Sequence, residues 1–483
     1  TKLPFGRPRT VVRRGRSRWW LCVVVGVVGG GWPWWSFVVV VGGGLSGITA
    51  ALALADAGLR VTLKEARGRL GGRVGSVKHP RLGIKVDNCQ HAAFRVYDRF
   101  FQLLGRADAR DVVKIQSKTN LPFALPSSGR IASLTTGRLS PPNHMIGSML
   151  KFPFLNLKDK LAMRSVVKAF SKLDDVSQWE FDDITFKEWL ESKGQTQKAI
   201  ERFFGFFTLA ALNISIEEAS AAQGIMLFRH GLFGKADAFD VVSFTKHLGE
   251  AIDGPLTKAL LDSGVNIEFN TSVKSMEELS NYDGKVIALP PHLSAKVCGI
   301  SNDLEYRALI GIHAFYRGNV VPDDFTFAAM IDEPLIQIIF NRSQEMDSQS
   351  ELQWISIPVS AADPFLKTSD EEILNELDRV LKSLYPNLKG ELVDYLIVKT
   401  PKSTFAPTPG SAAKRPKVDL LGDSIAIAGS HTMTGWPSTM EGAVRSGLQA
   451  AAHILGKKEY HHDQDWQGWP ARPSRGDNNW REW

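Results

Sequence analysis

The spacing of apolar positions changes several times along the chain, and each change marks an element. Residues 37–41 read FVVVV, a continuous β-branched run of the kind found in a central parallel strand buried on both faces. SGITAALALADAG (46–58) then places apolar residues at helical spacing with Gly58 as a stop, and LRVTLKEA (59–66) returns to strand character. Together they form a β-α-β unit, which puts the first domain in the α/β class. From about residue 96 to 224 the pattern predicts helices, for example LKDKLAMRSVVKAFSKL (157–173) and TFKEWLESKG (185–194). A second α/β stretch comes next, with a helix in FTKHLGEAIDGPLTKALLDSG (244–264) and strands in VNIEFN (265–270) and KVIALPP (285–291). Strand patterns in IGIHAFYRG, LIQIIFNRS and LQWISIPVS surround a helix in DEEILNELDRVLKSLYP, which predicts a mixed sheet. The chain then gives a last strand, SIAIAGS (424–430), and a helix over 438–455.

This interleaving predicts a cofactor domain assembled from three segments, 38–95, 225–300 and 415–456, with an α+β substrate domain inserted as 96–224 and 301–414. Both ends differ in composition from this body. The formal net charge is +7, and residues 1–37 hold seven basic side chains and no acid, so they account for all of it. The body is neutral, which argues against a nucleic-acid partner. Nine of the thirteen tryptophans also lie in 1–37 and 457–483, so both flanks read as foreign to the fold. The alternative for the first is a targeting segment, although its run WWLCVVVGVV is too short to span a bilayer. Cys22, Cys89 and Cys298 are far apart and form no CxxC pair, and His461 and His462 have no partners at ligand spacing. We therefore expect a reducing compartment, no disulfide framework and no metal site.

Two valine runs each end in three glycines, and the residues on their C-terminal side separate their roles. Gly29-Gly30-Gly31 leads into WPWWSF, which offers neither a helix nor an anion site. Gly42-Gly43-Gly44-Leu45-Ser46-Gly47 lies between strand and helix, as a GxGxxG dinucleotide turn requires. Gly42 makes the turn, Gly44 lets backbone approach a pyrophosphate and Gly47 permits close helix packing. The amides at Leu45 and Ser46 open the helix, whose N-terminus favours an anion. Glu65 ends the second strand 23 residues after Gly42, where a carboxylate can accept both ribose hydroxyls, and an acid there disfavours a 2′-phosphate.

The continuation ARGRLGGR places Arg69, Gly71, Gly72 and Arg73 in an R-x-G-G-R loop that resembles the flavin-containing amine oxidase and phytoene desaturase superfamily. The glycines would allow close backbone approach, and Arg73 would offer a cation to the cofactor phosphates. Near the C-terminus, Gly429 and Ser430 end a strand, and Pro437, Ser438, Thr439, Met440 and Glu441 begin the last helix. Ser438-x-x-Glu441 reads as a capping box whose helix N-terminus would face the flavin and favour negative charge on its reduced ring.

VDNCQHAA (86–93), FFTLAALNISIEEASA, LQWISIPVS, STFAPTPGSAAKRP and GWPSTMEGAVRSG (435–447) together resemble the squalene-associated flavoproteins, the hydroxysqualene dehydroxylases, over about 38–455. The resemblance implies a Rossmann-type FAD-binding domain of the glutathione reductase kind and FAD held without a covalent bond. It also implies reduction of the lipophilic substrate hydroxysqualene to squalene in bacterial hopanoid or sterol supply. Cys89 and Val273 join the cofactor set on the same ground, and Gln90 and His91 are the candidates that face substrate, His91 as a proton donor to the departing hydroxyl or as a structural histidine. Carotenoid desaturation, amine oxidation and a non-enzymatic lipid-binding relative are the alternatives. Three positions depart from the family pattern: Ser430 for an aspartate, Cys89 for a glycine and Lys64 for an apolar residue. The loss of the aspartate removes a charge-assisted hydrogen bond to FAD, which costs about 1.5–3 kcal/mol. Residues 143–167, NHMIGSMLKFPFLNLKDKLAMRSVV, mix Met, Leu and Phe with lysines and suggest either a membrane-surface contact or an amphipathic helix packed on the core. The expected location is cytoplasmic, with peripheral contact at the inner membrane face. The oligomeric state has no signal in the sequence.

Overall fold

The computed structural model describes residues 36–346 and 351–458, so the expectations for the two flanks, including Cys22, His461 and His462, lie almost wholly outside the described residues. Its first sheet is parallel throughout, with strands Asn266–Glu268, Arg60–Lys64, Phe37–Val41, Gly284–Ile287 and Ile425–Ile427 in that spatial order. The order reverses between Phe37–Val41 and Gly284–Ile287, so a crevice opens beyond the carboxyl ends of those two strands, where such sheets place ligands. Val38, Val39 and Val40 are fully buried, which is why this strand could be read as an unbroken apolar run.

Helices Leu45–Asp56 and Met440–Ile454 pack side by side on this sheet. A methyl group at Gly447 would fall 2.3 Å from the Ser46 carbonyl oxygen, so only glycine permits that approach. This contact joins the two ends of the described chain into one layer, around a core that includes Ile48, Leu52, Val444 and Leu448.

The second sheet has seven strands, in the order Glu391–Phe405, Tyr306–Arg317, Leu352–Val359, Ile338–Asn341, Phe327–Met330, Asn120–Leu125 and Arg130–Thr135. The last two correct the expectation of a helical pattern throughout 96–224. They form an antiparallel hairpin whose turn ends on Gly129, at φ 64°. Leu121, Phe123 and Leu134 are buried at strand spacing, so the period is two and not 3.6. Two boundaries also shift. Helix Asp98–Arg106 buries Phe100, Phe101, Leu103 and Leu104 in the core of the parallel sheet, and Ile225, Phe228 and Leu232 pack into the aromatic helical core despite lying beyond 224. Among the described residues no helix is long and apolar enough to cross a membrane, and no His, Cys, Asp and Glu cluster could hold a metal.

Candidate cofactor and substrate site

The turn after the first strand explains its own glycines. Gly42 has φ +107°, and a methyl group there would lie 2.4 Å from the Ala288 carbonyl oxygen across the crevice. A methyl at Gly47 would sit 1.9 Å from the Gly42 oxygen. The position of Gly44 is open, its nearest neighbour being the Gly72 Cα at 4.0 Å. The first intrahelical bond runs from Ile48 N–H to the Gly44 oxygen at 2.9 Å, which leaves the earlier amides at the helix end for a ligand.

Glu65 is brought to this turn and is only 8% exposed. Its Oε2 accepts from the Gly43 amide at 2.7 Å and its Oε1 from the Arg67 amide at 2.8 Å. The carboxylate therefore braces the turn, a structural duty the sequence alone did not reveal. The RLGGR loop closes on the same point. The Gly71 amide donates to the Gly43 oxygen at 2.8 Å, and Gly71 and Gly72 both adopt positive φ. A methyl on Gly72 would meet the Gly44 Cα at 3.0 Å. Arg69 does not reach outward, since its guanidinium donates to the Leu70 and Gly72 carbonyls of its own loop. Arg73 extends to the C-terminal segment, where Nη2 donates to Ser430 Oγ at 2.9 Å and Nη1 to the Ser403 carbonyl.

Ser430 Oγ also bonds Ser438 Oγ at 2.8 Å, and the Gly429 amide donates to Ser446 Oγ at 2.9 Å. The expected capping box is absent. Thr439, not Ser438, caps the last helix, accepting from the Gly442 amide. Glu441 is fully buried and turned inward, where it accepts from the Phe100 amide at 2.8 Å and from Arg445 Nε at 2.7 Å. Burial holds its carboxyl above the usual range. Packing of helix Asp98–Arg106 against the last helix claims that carboxylate, and the neighbouring Met440 is buried in the parallel-sheet core. Val273 packs with Val41 and Ile287 under the adjacent strand ends.

Arg73, Lys402, His292, His431, Ser430 and Ser438 surround a cavity of about 120 Å³ that no acid lines. Its cations and hydroxyls supply hydrogen-bond donors to an oxygen-rich group, such as the hydroxyl-bearing part of a dinucleotide. With the methyl-free turn beside Glu65, this chemistry fits a dinucleotide. The match to the model of flavin containing amine oxidoreductases covers residues 45–455.

The chain belongs to that family.

As a member of the flavin containing amine oxidoreductases it is a FAD-dependent oxidoreductase. It is 25% identical to hydroxysqualene dehydroxylase of Zymomonas mobilis, over 85% of this chain and 97% of that one. It is 24% identical to zeta-carotene desaturase of Solanum lycopersicum, over 86% and 80% respectively. Its fold is that of an oxidoreductase from Methanosarcina mazei, with a TM-score of 0.65 and 14% identity over 86% of this chain and 99% of that one.

Within the flavoprotein, two residues that sequence reasoning missed hold the loop after the last strand and the edge of the parallel sheet. Buried Arg415 spreads its donors over the carbonyls of His431, Thr432 and Trp436, and burial pushes its guanidinium down to about 9. It lies in the family-like stretch STFAPTPGSAAKRP, but only the fold reveals what it holds. Glu268 pairs with Lys64 at 2.7 Å, which accounts for a lysine in that strand. Cys89 does not project into open space. It is buried, its Sγ lies 3.8 Å from the Ile310 carbonyl, and burial pushes its thiol up to about 12. Gln90 is buried and donates to the His91 oxygen.

His91 requires a correction. Its Nδ1 lies 2.6 Å from the Cys89 carbonyl, which can only accept, so Nδ1 carries a proton, and on a neutral ring Nε2 is then a bare acceptor. Burial also holds the ring below the usual histidine range, which keeps it neutral. On a neutral ring held in this way, donation from Nε2 is disfavoured. One residue further on, Ala92 and Phe94 begin the wall of a second cavity, with Phe123, Phe206, Phe207 and Phe340 among its other sides. No polar side chain lines it. Phe206 directly follows a π-helical segment, Ile200–Gly205, a distortion often found where a helix is bent to serve a site.

Proposed function

We propose that this flavoprotein reduces a linear isoprenoid, removing the allylic hydroxyl of hydroxysqualene to give squalene. The observation that carries this reading is the aromatic cavity beginning beside His91, lined without a charge or a hydrogen-bonding side chain. An ammonium substrate would lose its hydration there without any ion partner, at a cost of several kcal/mol, whereas a hydrocarbon chain gains by entering. The similarity to hydroxysqualene dehydroxylase points the same way.

The reaction replaces C–OH by C–H, consuming a hydride and a proton and releasing water. The chemistry supplied by reduced FAD, when bound, is the hydride. The residues that would hold FAD are the Gly42–Gly47 turn, Glu65, the Gly71-Gly72 backbone, Arg73, Ser430 and Ser438, which supply a methyl-free turn, unclaimed helix-end amides and cationic or hydroxyl donors. Neutral His91 would accept the substrate hydroxyl's hydrogen bond at Nε2 and so orient the leaving group. The proton that converts the departing hydroxide to water then comes from another donor. The phenylalanine walls keep water from the reacting carbon.

The test is anaerobic incubation of the photoreduced full chain with hydroxysqualene, followed by product analysis. Formation of squalene supports the reading. No squalene, with desaturation of a carotene under oxidising conditions, would assign the second activity represented among its relatives. A protein that stays colourless with added FAD would point to a lipid-binding relative with a decayed flavin site.

A further inference from the structure

The segment 138–172 presents an apolar and basic face that the fold leaves uncovered. Helix Ile146–Lys151 buries none of its residues, and Ile146 and Leu150 are 45% and 60% exposed. Helix Leu157–Phe170 buries Asp159, Met163, Val166 and Phe170 on one side. On the other side, Leu157 and Leu161 are exposed at a spacing of four residues, followed by Arg164 and Lys168. Leu139, in the preceding loop, is also exposed. The two helices form one platform: Lys160 Nζ donates to the Leu150 carbonyl at 2.9 Å, and Ser148 Oγ ties the shorter helix to the Thr135 carbonyl of the outermost strand.

Charge identifies the partner. Residues 138–172 carry seven lysines and arginines, namely Arg138, Lys151, Lys158, Lys160, Arg164, Lys168 and Lys172, against one acid. That acid, Asp159, is buried and occupied by the Asn156 amide and Thr196 Oγ1. Protruding leucines ringed by unopposed cations match an interface of acyl chains beneath anionic headgroups. A protein partner would need a complementary acidic rim around an apolar pocket, whereas a bilayer supplies both layers everywhere on its surface.

We infer that this platform docks the enzyme on an anionic membrane, with Leu139, Ile146, Leu150, Leu157 and Leu161 entering the headgroup layer. The platform shares a wall with the apolar cavity. Phe152, immediately after the short helix, packs edge-on against Phe123 at 5.3 Å between ring centroids, and Phe123 lines that cavity. A water-insoluble substrate could thus move from bilayer to cavity along one face of the molecule. The inference does not depend on which isoprenoid is turned over.

The experiment is co-sedimentation of the FAD-loaded full chain with vesicles of phosphatidylcholine alone or with one-third phosphatidylglycerol. The expected result is at least tenfold stronger partition onto the anionic vesicles, weakening as salt is raised. Leu150→Glu with Leu157→Glu should reduce it by tenfold or more on anionic vesicles. Lys158→Glu with Arg164→Glu should bring it to the level seen without phosphatidylglycerol. All four positions are exposed, and flavin absorbance and circular dichroism of each variant confirm that folding is intact. Wild-type protein remaining in the supernatant overturns the inference. So does a leucine pair variant that binds as well as wild type, which would assign binding to another part of the chain such as the basic residues before 38. A vesicle-free dimer dissociated by the leucine changes, without vesicle binding, would assign the face to a second copy and likewise overturn it.

Discussion

Replacing Glu65 by Gln separates the two duties the structure gives this residue. If its carboxylate served only a ribose, the flavin-free protein would not notice the change. The structure predicts otherwise, because each oxygen already accepts a backbone amide, a buried one from Gly43 at 2.7 Å and a part-buried one from Arg67 at 2.8 Å. Glutamine can accept one of these through its carbonyl, and that bond loses its charge assistance, about 1 kcal/mol. Its carbonyl keeps the buried Gly43 amide and its NH₂ must then face the Arg67 amide, a part-buried donor whose loss costs about 1 kcal/mol, the low end of the range for buried groups. The sum, about 2 kcal/mol, should appear in flavin-free protein as a lower urea midpoint, followed by circular dichroism. FAD titration of the same variant should show weaker binding as well, if the turn that Glu65 braces is the one proposed to hold the cofactor. If the flavin-free variant unfolds within about 0.5 kcal/mol of wild type, the bracing role is wrong, whatever happens to FAD affinity.

Three further outcomes rest on the same geometry. Gly47→Ala drives a methyl onto the Gly42 oxygen at 1.9 Å and should yield protein without bound FAD by flavin absorbance, whereas Gly147→Ala, with open space around it, should keep full flavin content. Ser430→Asp places a carboxylate between Arg73 and Ser438 and should tighten FAD by about tenfold in fluorescence titration, the range of one charge-assisted bond; unchanged affinity would show that position 430 does not face the cofactor. His313 and His431 are buried, and burial pushes them down to about 4 and about 3 respectively. The unfolded chain takes up these protons near pH 6.5 and the folded one does not, so stability should fall as pH drops from 6.5 toward 4, by about 2 kcal/mol per histidine at pH 5. His313→Gln should flatten that slope in pH-dependent urea denaturation.

Local signals were legible wherever a backbone requirement is written into residue type. Gly42, Gly47, Gly71 and Gly72 could be read because a tight turn or close approach forbids a side chain there, and the structure shows the atom each methyl would strike. The buried strand FVVVV could be read because a strand covered on both faces needs no polar alternation. The hairpin over 120–135 was missed inside a region of helical periodicity, although Leu121, Phe123 and Leu134 do mark its inward face. Ser438-x-x-Glu441 misled for the opposite reason. The local pattern matched a capping box, but the Phe100 amide and Arg445 competed for Glu441 and won, because a fully buried carboxylate needs several donors and the box supplies one.

By itself the sequence determined the β-α-β start, the glycine turn between its strand and helix, the acidic strand end and the resemblance to a flavoprotein family, all of which depend on residues near one another in the chain. Tertiary structure alone decided what Arg73, Arg415, His91 and Lys64 do. Arg73 meets Ser430 across 357 positions and Lys64 meets Glu268 across 204, and Arg415 holds the carbonyls of a separate loop. The proton on His91 was decided by a carbonyl two residues away whose direction only the folded backbone sets. Hydrogen-bond direction and ion pairing require atoms within about 3–4 Å, and a sequence lists the candidates without saying which of them folding brings that close.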